Sequence, residues 1–419
     1  MAVAVIAGTR TPFTKMGTSL RNCSAIELGQ APVNALAEKF NLGSDTRGLV
    51  VFGAVIQHPD VSNIAREIVL ESKLHPQTRA FSTIMACATS LSSVAEAAGW
   101  ISRGAVSWAI AGGAESMSNF PVSFPKPFGQ ALGDLQFSKT TSDKIKSFMR
   151  LRPKHLMPQI PPVAERLTGL SMGEHCELMV KEWSIPRPEQ DEWAVQTHSR
   201  AAKFQGWHEK FFTAPAKIKG APKDNLIRGD TSYEKISKLK PAFTKDGTIT
   251  AANASPLTDG GAAVLLADED FARSQGWPVL AILDDFEMAA VDIRYEGLLM
   301  APPYAIHRLL SRQKRTFEDF DVIEMHEAFA AQVLCNLRAL ANPEWCKKRL
   351  GGQSFKAPSH ERINPKGGSI PLGHPFGATG ARLVMNLATQ IQEEKIKRGM
   401  ISICAAGGLG FVATLKAAE

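Results

Sequence analysis

The sequence predicts an α/β fold in which two sheets are stacked with helices between and outside them. Three observations carry this. Short, continuous apolar runs rich in β-branched residues alternate with stretches of helical period. One strand–loop–helix–strand plan occurs in both halves, and a proline-rich basic segment of another character separates them. With 419 residues the chain has room for two or three domains and a sizeable core. Apolar types make up 44% and charged types 21%, the balance of a packed globular protein rather than a disordered or fibrous one.

In the first half, residues 2–7 (AVAVIA) and 49–56 (LVVFGAVI) have the look of strands covered on both faces. From Cys87 the pattern changes to helical spacing, with Leu91, Val94, Ala95, Ala98 and Ile101 on one face. Gly104 stops that run before a strand over 105–111, which runs into Gly112–Gly113. Cys87 therefore lies where a loop feeds a helix N-terminus. In the second half the loop 367–377 leads into a helix over about 378–392, with Val384, Leu387 and Ile391 on one face. A strand over 400–404 then ends at Gly407–Gly408. The repeated plan reads as an old duplication of one α/β unit. Residues 120–165 contain seven prolines and no clear period, and 121–160 carry 7 Lys/Arg against 2 Asp/Glu, which predicts an inserted loop domain rather than a sheet. The expected boundaries are 1–119 for the first half, completed by about 246–272, then 120–245 for the insert and 273–419 for the second half.

The six cysteines (Cys23, Cys87, Cys176, Cys335, Cys346 and Cys404) are irregularly spaced with no CxxC pair, so neither a disulfide framework nor a zinc site is expected, and thiols are free for chemistry. His175 beside Cys176 on one helix is poor metal-ligand geometry. The formal charge of +7 resides in residues 121–250, which hold 21 Lys/Arg and 14 Asp/Glu. Such a surplus suits a phosphate-bearing substrate or an anionic surface. With three Tyr and no aromatic–basic stripe, nucleic acid is not expected. No run is long and apolar enough to span a membrane, and no leader precedes the first strand-like run, so bacterial cytoplasm or mitochondrial matrix is expected. Within the insert, Ile145, Phe148, Met149, Leu151 and Leu156, set among Lys144, Lys146, Arg150, Arg152 and Lys154, form a basic amphipathic pattern. It suits peripheral contact with a membrane or a partner, the alternative being a helix packed on its own domain.

Four residues are candidates for chemistry. Cys87 is the nucleophile candidate, because a helix N-terminus stabilises an anion by about 0.3–1 kcal/mol and lowers a thiol pKa. His374, in the glycine-dense GHPFGATG, is the candidate base. Cys404, at a strand end before AAGGLG, sits beside backbone N–H groups that suit an oxyanion hole, and His326 in MHEAFAAQ lies at a strand–helix junction.

Seven blocks, in order and spanning essentially the whole chain, resemble the thiolase superfamily: MACATS around Cys87, GGAESMS at 112–118, MGEHCE at 172–177, GTITAANASPLTDGGAA at 247–263, HEAFAAQ at 326–332, GHPFGATGARL at 373–383 and CAAGGLG at 404–410. Within that superfamily the HEAF and CAAGGLG variants are most similar to the β-subunit of the trifunctional fatty-acid β-oxidation complex. Many other members have Asn in place of His326 and Gly in place of Ala406, which leaves part of the oxyanion arrangement to be fixed by the structure.

The resemblance implies a five-layered α-β-α-β-α fold and cleavage of 3-ketoacyl-CoA by CoA through an acyl-Cys87 intermediate, with CoA as substrate, no cofactor and no metal. It assigns activation of Cys87 to His374, protonation of the enolate and deprotonation of the incoming CoA to Cys404, polarisation of the thioester oxygen to His374 and a group held by His326, and the oxyanion at C3 to the N–H groups of Cys87 and Ala406. It also implies CoA or substrate contacts by Ser255, Arg228 and Phe329, although a solvated surface charge is the alternative for Arg228 and a core phenylalanine for Phe329. A homodimer or larger assembly is implied, joined by a hydratase/dehydrogenase α-subunit. Alternative activities are a biosynthetic acetoacetyl-CoA thiolase and a ketosynthase-type condensing enzyme with a Cys-His-His set, for which Cys404 would be superfluous. A catalytically idle membrane or assembly subunit is a third reading.

Overall fold

Among the residues described by the computed structural model (1–159, 163–220 and 222–419), ten strands carry the architecture. They are β1 (Val3–Arg10), β2 (Thr14–Lys15), β3 (Gly48–Gly53), β4 (Arg79–Phe81), β5 (Trp108–Glu115), β6 (Thr258–Asp268), β7 (Ala281–Ala290), β8 (Val322–Met325), β9 (Arg398–Ala405) and β10 (Leu409–Lys416). They follow the order β4-β3-β5-β6-β1-β7-β10-β9-β8, with β2 on β6. Strands β3, β4 and β5 run parallel, and so do β8 and β9, while β6, β1, β7 and β10 pair antiparallel. The segment 258–268, after the insert, thus lies between two strands of the first half.

Side-chain alternation along the strands shows the layers. Val3 and Val5 of β1, Leu49 and Val51 of β3, and Ile401 and Ile403 of β9 share one core with the helices α3 (Thr89–Ser102) and α10 (Thr379–Glu394). The opposite faces of β1 and β3 (Ala4, Ile6, Val50 and Phe52) form a second core with α1 (Ala25–Lys39) and α2 (Ile64–Leu70). Met400, Cys404 and Val412 face a third core with α8 (Ala301–Gln313) and α9 (Ala330–Ala341). Helix, sheet, helix, sheet, helix is the layering expected. One feature departs from two separate sheets: Ala4 pairs with Ile282 and Val5 with Ala281, so the ladder is continuous across β1 and β7.

The strand expected to end before Gly112–Gly113 instead continues through them to Glu115. Gly112 lies against the Ala262 carbonyl and Gly113 against that of Gly377, and a side chain on either would clash. These glycines permit close backbone approach within a strand. Gly407 and Gly408, by contrast, form a turn with φ of 81° and 72°.

The insert is more ordered than its composition predicts. It contains α4 (Lys126–Phe137), α5 (Thr141–Met149), α6 (Met172–Trp183) and α7 (Arg187–Lys203); Ile160, Pro161, Pro162 and Ala221 of this segment lie outside the described residues. Thr140 caps α5 by accepting from the Asp143 N–H, and the helix ends at Met149, before Pro153. Leu151 and Leu156 therefore do not extend its apolar face. Ile145, Phe148 and Met149 are exposed, with Met149 at 79%, so α5 does not bury that face on its own domain. No helix among the described residues is long and apolar enough to cross a membrane.

Candidate active site

The site forms where loops at strand ends of both halves converge. Cys87 stands in a single 3-10 turn, Ala86–Ala88, directly before α3. Its predecessor Ala86 has φ of 43°, in the left-handed region that costs a non-glycine residue about 1 kcal/mol or more. The Thr89 hydroxyl holds this turn, accepting from the Met85 N–H (2.9 Å) and donating to the Ala86 carbonyl (2.8 Å). Burial pushes the Cys87 thiol up to about 12, opposed by the Ala406 and Cys87 N–H groups directed at its sulfur. The expected lowering by the helix N-terminus does not occur, because desolvation of the thiolate outweighs those donors.

His374 follows Gly373, whose φ of 93° and close neighbours Thr258 and Leu226 leave room only for glycine. Its N–H donates to Thr258 Oγ1 (3.0 Å), and Leu257 bridges the same loop. His326 follows β8, and its N–H donates to the Ser402 carbonyl in β9 (2.8 Å). The two imidazole centroids lie 4.0 Å apart, and Cys87 Sγ and one ring nitrogen each of His326 and His374 fall within 4.8 Å of one another. One thiol and two imidazoles, with no carboxylate among them, form a proton-transfer group.

Hydrogen bonds fix the state of His374. Thr379 Oγ1 lies 2.6 Å from His374 Nδ1 and 3.2 Å from the Pro375 carbonyl; with the hydroxyl proton on that carbonyl, Nδ1 carries the imidazole proton and Nε2 is a lone pair. The Nε2 atoms of His374 and His326 are buried with no hydrogen-bond partner among the described residues. Burial, aided by the Arg382 charge, lowers His374 to about 3, and burial with the neighbouring His374 and Arg382 takes His326 well below its usual range. Both rings are therefore neutral at physiological pH.

Cys404 is buried near the end of β9, paired with Gly410. Burial raises its thiol well above the usual range, and the Cys87 thiol adds to the rise; β9, which carries Cys404, packs against the turn Ala86–Ala88 that carries Cys87. The turn that follows presents Ala406 to Cys87.

The remaining candidates lie around this centre. Ser255 is half-buried, and its N–H and hydroxyl both donate to the Ala328 carbonyl, two residues after His326. Phe329 bridges Ala254, is buried, and meets the Phe243 ring edge-on at 5.6 Å. Arg228 is exposed, and its N–H donates to His198 Nδ1 (3.2 Å). The strand-like segment before it is anchored to the core by Asp224, which receives the Arg10 guanidinium at 2.8 and 2.6 Å, and by Leu226 against Gly373.

Several supporting residues escape the sequence reading. Glu115 accepts from the N–H groups of Val55, Ile56 and Gly377, tying the first half to the His374 loop. Glu327 accepts from Trp193, Thr197, Asn364 and the Ile370 N–H. Ser369 and Arg382 stand behind His326. Position in GGAES, HEAF and GATGAR was the available signal, but nothing in those strings tells a buried acceptor from a surface charge.

Comparison with known proteins agrees with this fold. The thiolase N-terminal domain family matches residues 3–270 and the thiolase C-terminal domain family matches residues 277–417. The 3-ketoacyl-CoA thiolases of Yersinia pestis (strain Pestoides F) and Yersinia pseudotuberculosis serotype O:1b (strain IP 31758) are each 40% identical over 99% of this chain and 96% of their own. The crystal structure of the Bacillus anthracis acetyl-CoA acetyltransferase superposes with a TM-score of 0.81 at 28% identity, covering 100% of this chain and 99% of that one. The chain belongs to the thiolase family of acyltransferase enzymes.

Proposed function

We propose that the chain cleaves 3-ketoacyl-CoA with free CoA, giving acetyl-CoA and a shortened acyl-CoA, and that this serves fatty-acid β-oxidation. The observation that carries it is the Cys87–His374–His326 cluster together with a second thiol, Cys404, on the strand that packs against the Cys87 turn. His374 Nε2 takes the Cys87 proton as the sulfur attacks C3, and the N–H groups of Cys87 and Ala406 receive the oxyanion. The C2–C3 bond breaks, and its electron pair becomes the enolate of acetyl-CoA, whose oxygen is met by the two imidazoles. Cys404 protonates C2, then takes the proton of the incoming CoA thiol, whose sulfur displaces the acyl group from Cys87.

This reading needs no cofactor. Arg228 and the basic insert would receive the CoA phosphates, Ser255 and Phe329 the pantetheine. The 40% identity to named 3-ketoacyl-CoA thiolases supports the substrate class. The exposed apolar and basic face of α5 supports contact with a membrane or an α-subunit, and the family supports a homodimer or larger assembly.

Incubation with acetoacetyl-CoA and free CoA tests the reaction. Appearance of acetyl-CoA, lost in a folded Cys87→Ser variant, is expected; turnover only with a malonyl donor would establish a decarboxylating condensing enzyme instead.

A further inference from the structure

We infer that Ser369 and Arg382 are positioning residues that lock His326 as the tautomer presenting Nε2–H to the substrate, opposite to that of His374; this rests on the thiolysis reading above. Ser369 Oγ lies 2.8 Å from His326 Nδ1 and accepts an N–H from Arg382 Nη2 at 2.8 Å. All three side chains are buried. Among the described residues these are the only partners of that hydroxyl, and the Ser369 bond is the only one the Arg382 guanidinium makes.

A serine hydroxyl has one proton and two lone pairs, whereas a guanidinium only donates. Because Arg382 occupies a lone pair of Ser369, one arrangement satisfies the hydroxyl on both sides: the Ser369 proton goes to His326 Nδ1, and the imidazole proton resides on Nε2, facing the space where the substrate sits. In the reverse tautomer Ser369 would receive two donors, and its own proton would be left without an acceptor among the described residues. A buried donor in that state costs about 1–3 kcal/mol, whereas an Nε2–H that faces the substrate site finds an acceptor once the substrate oxygen is bound.

The consequence is a division of labour between two rings 4.0 Å apart. His374, held through Thr379, offers a lone pair and can accept the thiol proton. His326, held through Ser369, offers an N–H and can donate to an oxygen that gains charge. The Arg382 cation behind the hydroxyl opposes protonation of either imidazole, which keeps the roles separate. Glu324, Glu327 and Asp224 are the acidic groups acting on Arg382, with the Arg10 cation opposing them, and Asp224 is held by Arg10. Glu324 receives Gln390, Glu327 is occupied by its four donor groups, and neither carboxylate bonds Ser369, whose hydroxyl meets His326 and Arg382 alone among the described residues.

A double-mutant cycle on the full-length protein tests the relay. Ser369→Ala is expected to lower kcat for thiolysis of acetoacetyl-CoA by about 10–100-fold, the usual effect of removing a group that orients a functional histidine. Alkylation of Cys87 by iodoacetamide should stay within about twofold of wild type, since His374 is untouched. In a His326→Gln background, Ser369→Ala should have no further effect on kcat. An unchanged kcat in the single variant would overturn the proposal, and so would an equal loss in the His326→Gln background. A wild-type protein that yields no acetyl-CoA would overturn the underlying reaction instead, which separates the two failures.

Discussion

Glu115, the last residue of β5, accepts the Gly377 N–H at 3.1 Å, so one carboxylate joins the sheet of the first half to the loop that carries His374 in the second. Burial raises this carboxyl to about 7, from a model-compound value of 4.5. The folded protein therefore holds the proton more tightly than the unfolded chain does. The stability this contributes is fully present below pH 4.5 and is lost as pH rises through 7, a change of about 3 kcal/mol. Glu115→Gln removes the dependence. Thermal melts should show wild type losing ground to the variant between pH 4.5 and 8, whereas parallel curves would refute the assignment.

The state of the nucleophile leads to a second expectation. With the Cys87 thiol pushed up to about 12 and His374 down to about 3, the resting pair is thiol and neutral imidazole, not thiolate and imidazolium. The thiolate fraction then rises tenfold per pH unit throughout the neutral range. Iodoacetamide alkylation of Cys87, read against a Cys87→Ser control, should increase with a log-rate slope of about one from pH 7 to 9. A rate that has already levelled off by pH 7 would reveal a preformed ion pair.

How much of this was readable beforehand depended on the kind of residue. Cys87, His374, Cys404 and His326 stand in glycine-dense loops or at strand ends, where a reactive side chain has few packing roles, and the fold brings them together. Arg382 sits on a helix whose sequence permits a solvated position, and only burial of α10 between the two sheets turns it into an interior cation. Ser369 and Thr379 are small hydroxyls whose partners are named by three-dimensional proximity alone. Gly112–Gly113 read as a strand terminator, yet they mark the place where the neighbouring strand β6 and the Gly377 loop press closely on β5. The β1–β7 junction depends on two residue pairs and leaves no periodic trace.

The turn before the nucleophile is strained in a way that substitution can reveal. Ala86 adopts φ of 43°, a conformation glycine reaches freely and a β-branched residue reaches with difficulty. Ala86→Gly should keep the free energy of urea unfolding within about 1 kcal/mol of wild type, since relief of strain offsets the entropy of the more flexible unfolded chain. Ala86→Val should lose about 2 kcal/mol or more. Equal stability of the two variants would mean that the turn is not held in the left-handed region.

Glu327 makes the strongest case for an acceptor that must stay purely an acceptor. Its carboxylate receives Trp193 Nε1 at 3.1 Å, the Thr197 hydroxyl at 3.1 Å, Asn364 Nδ2 at 2.7 Å and the Ile370 N–H at 3.1 Å, joining α7 of the insert to the loop that supports Ser369. Glutamine has nearly the same shape, but it would turn one oxygen into an NH2 facing donors, leaving buried polar groups unpaired at about 1–3 kcal/mol each. Glu327→Gln is therefore expected to unfold at lower urea by about 2–4 kcal/mol. It should also lower thiolysis, because His326 precedes it directly and Ser369 lies in the loop it secures. Chemical denaturation followed by tryptophan fluorescence measures the first effect, and release of acetyl-CoA the second. A variant with wild-type stability would show that these donors find other acceptors and that the carboxylate does not organise the site.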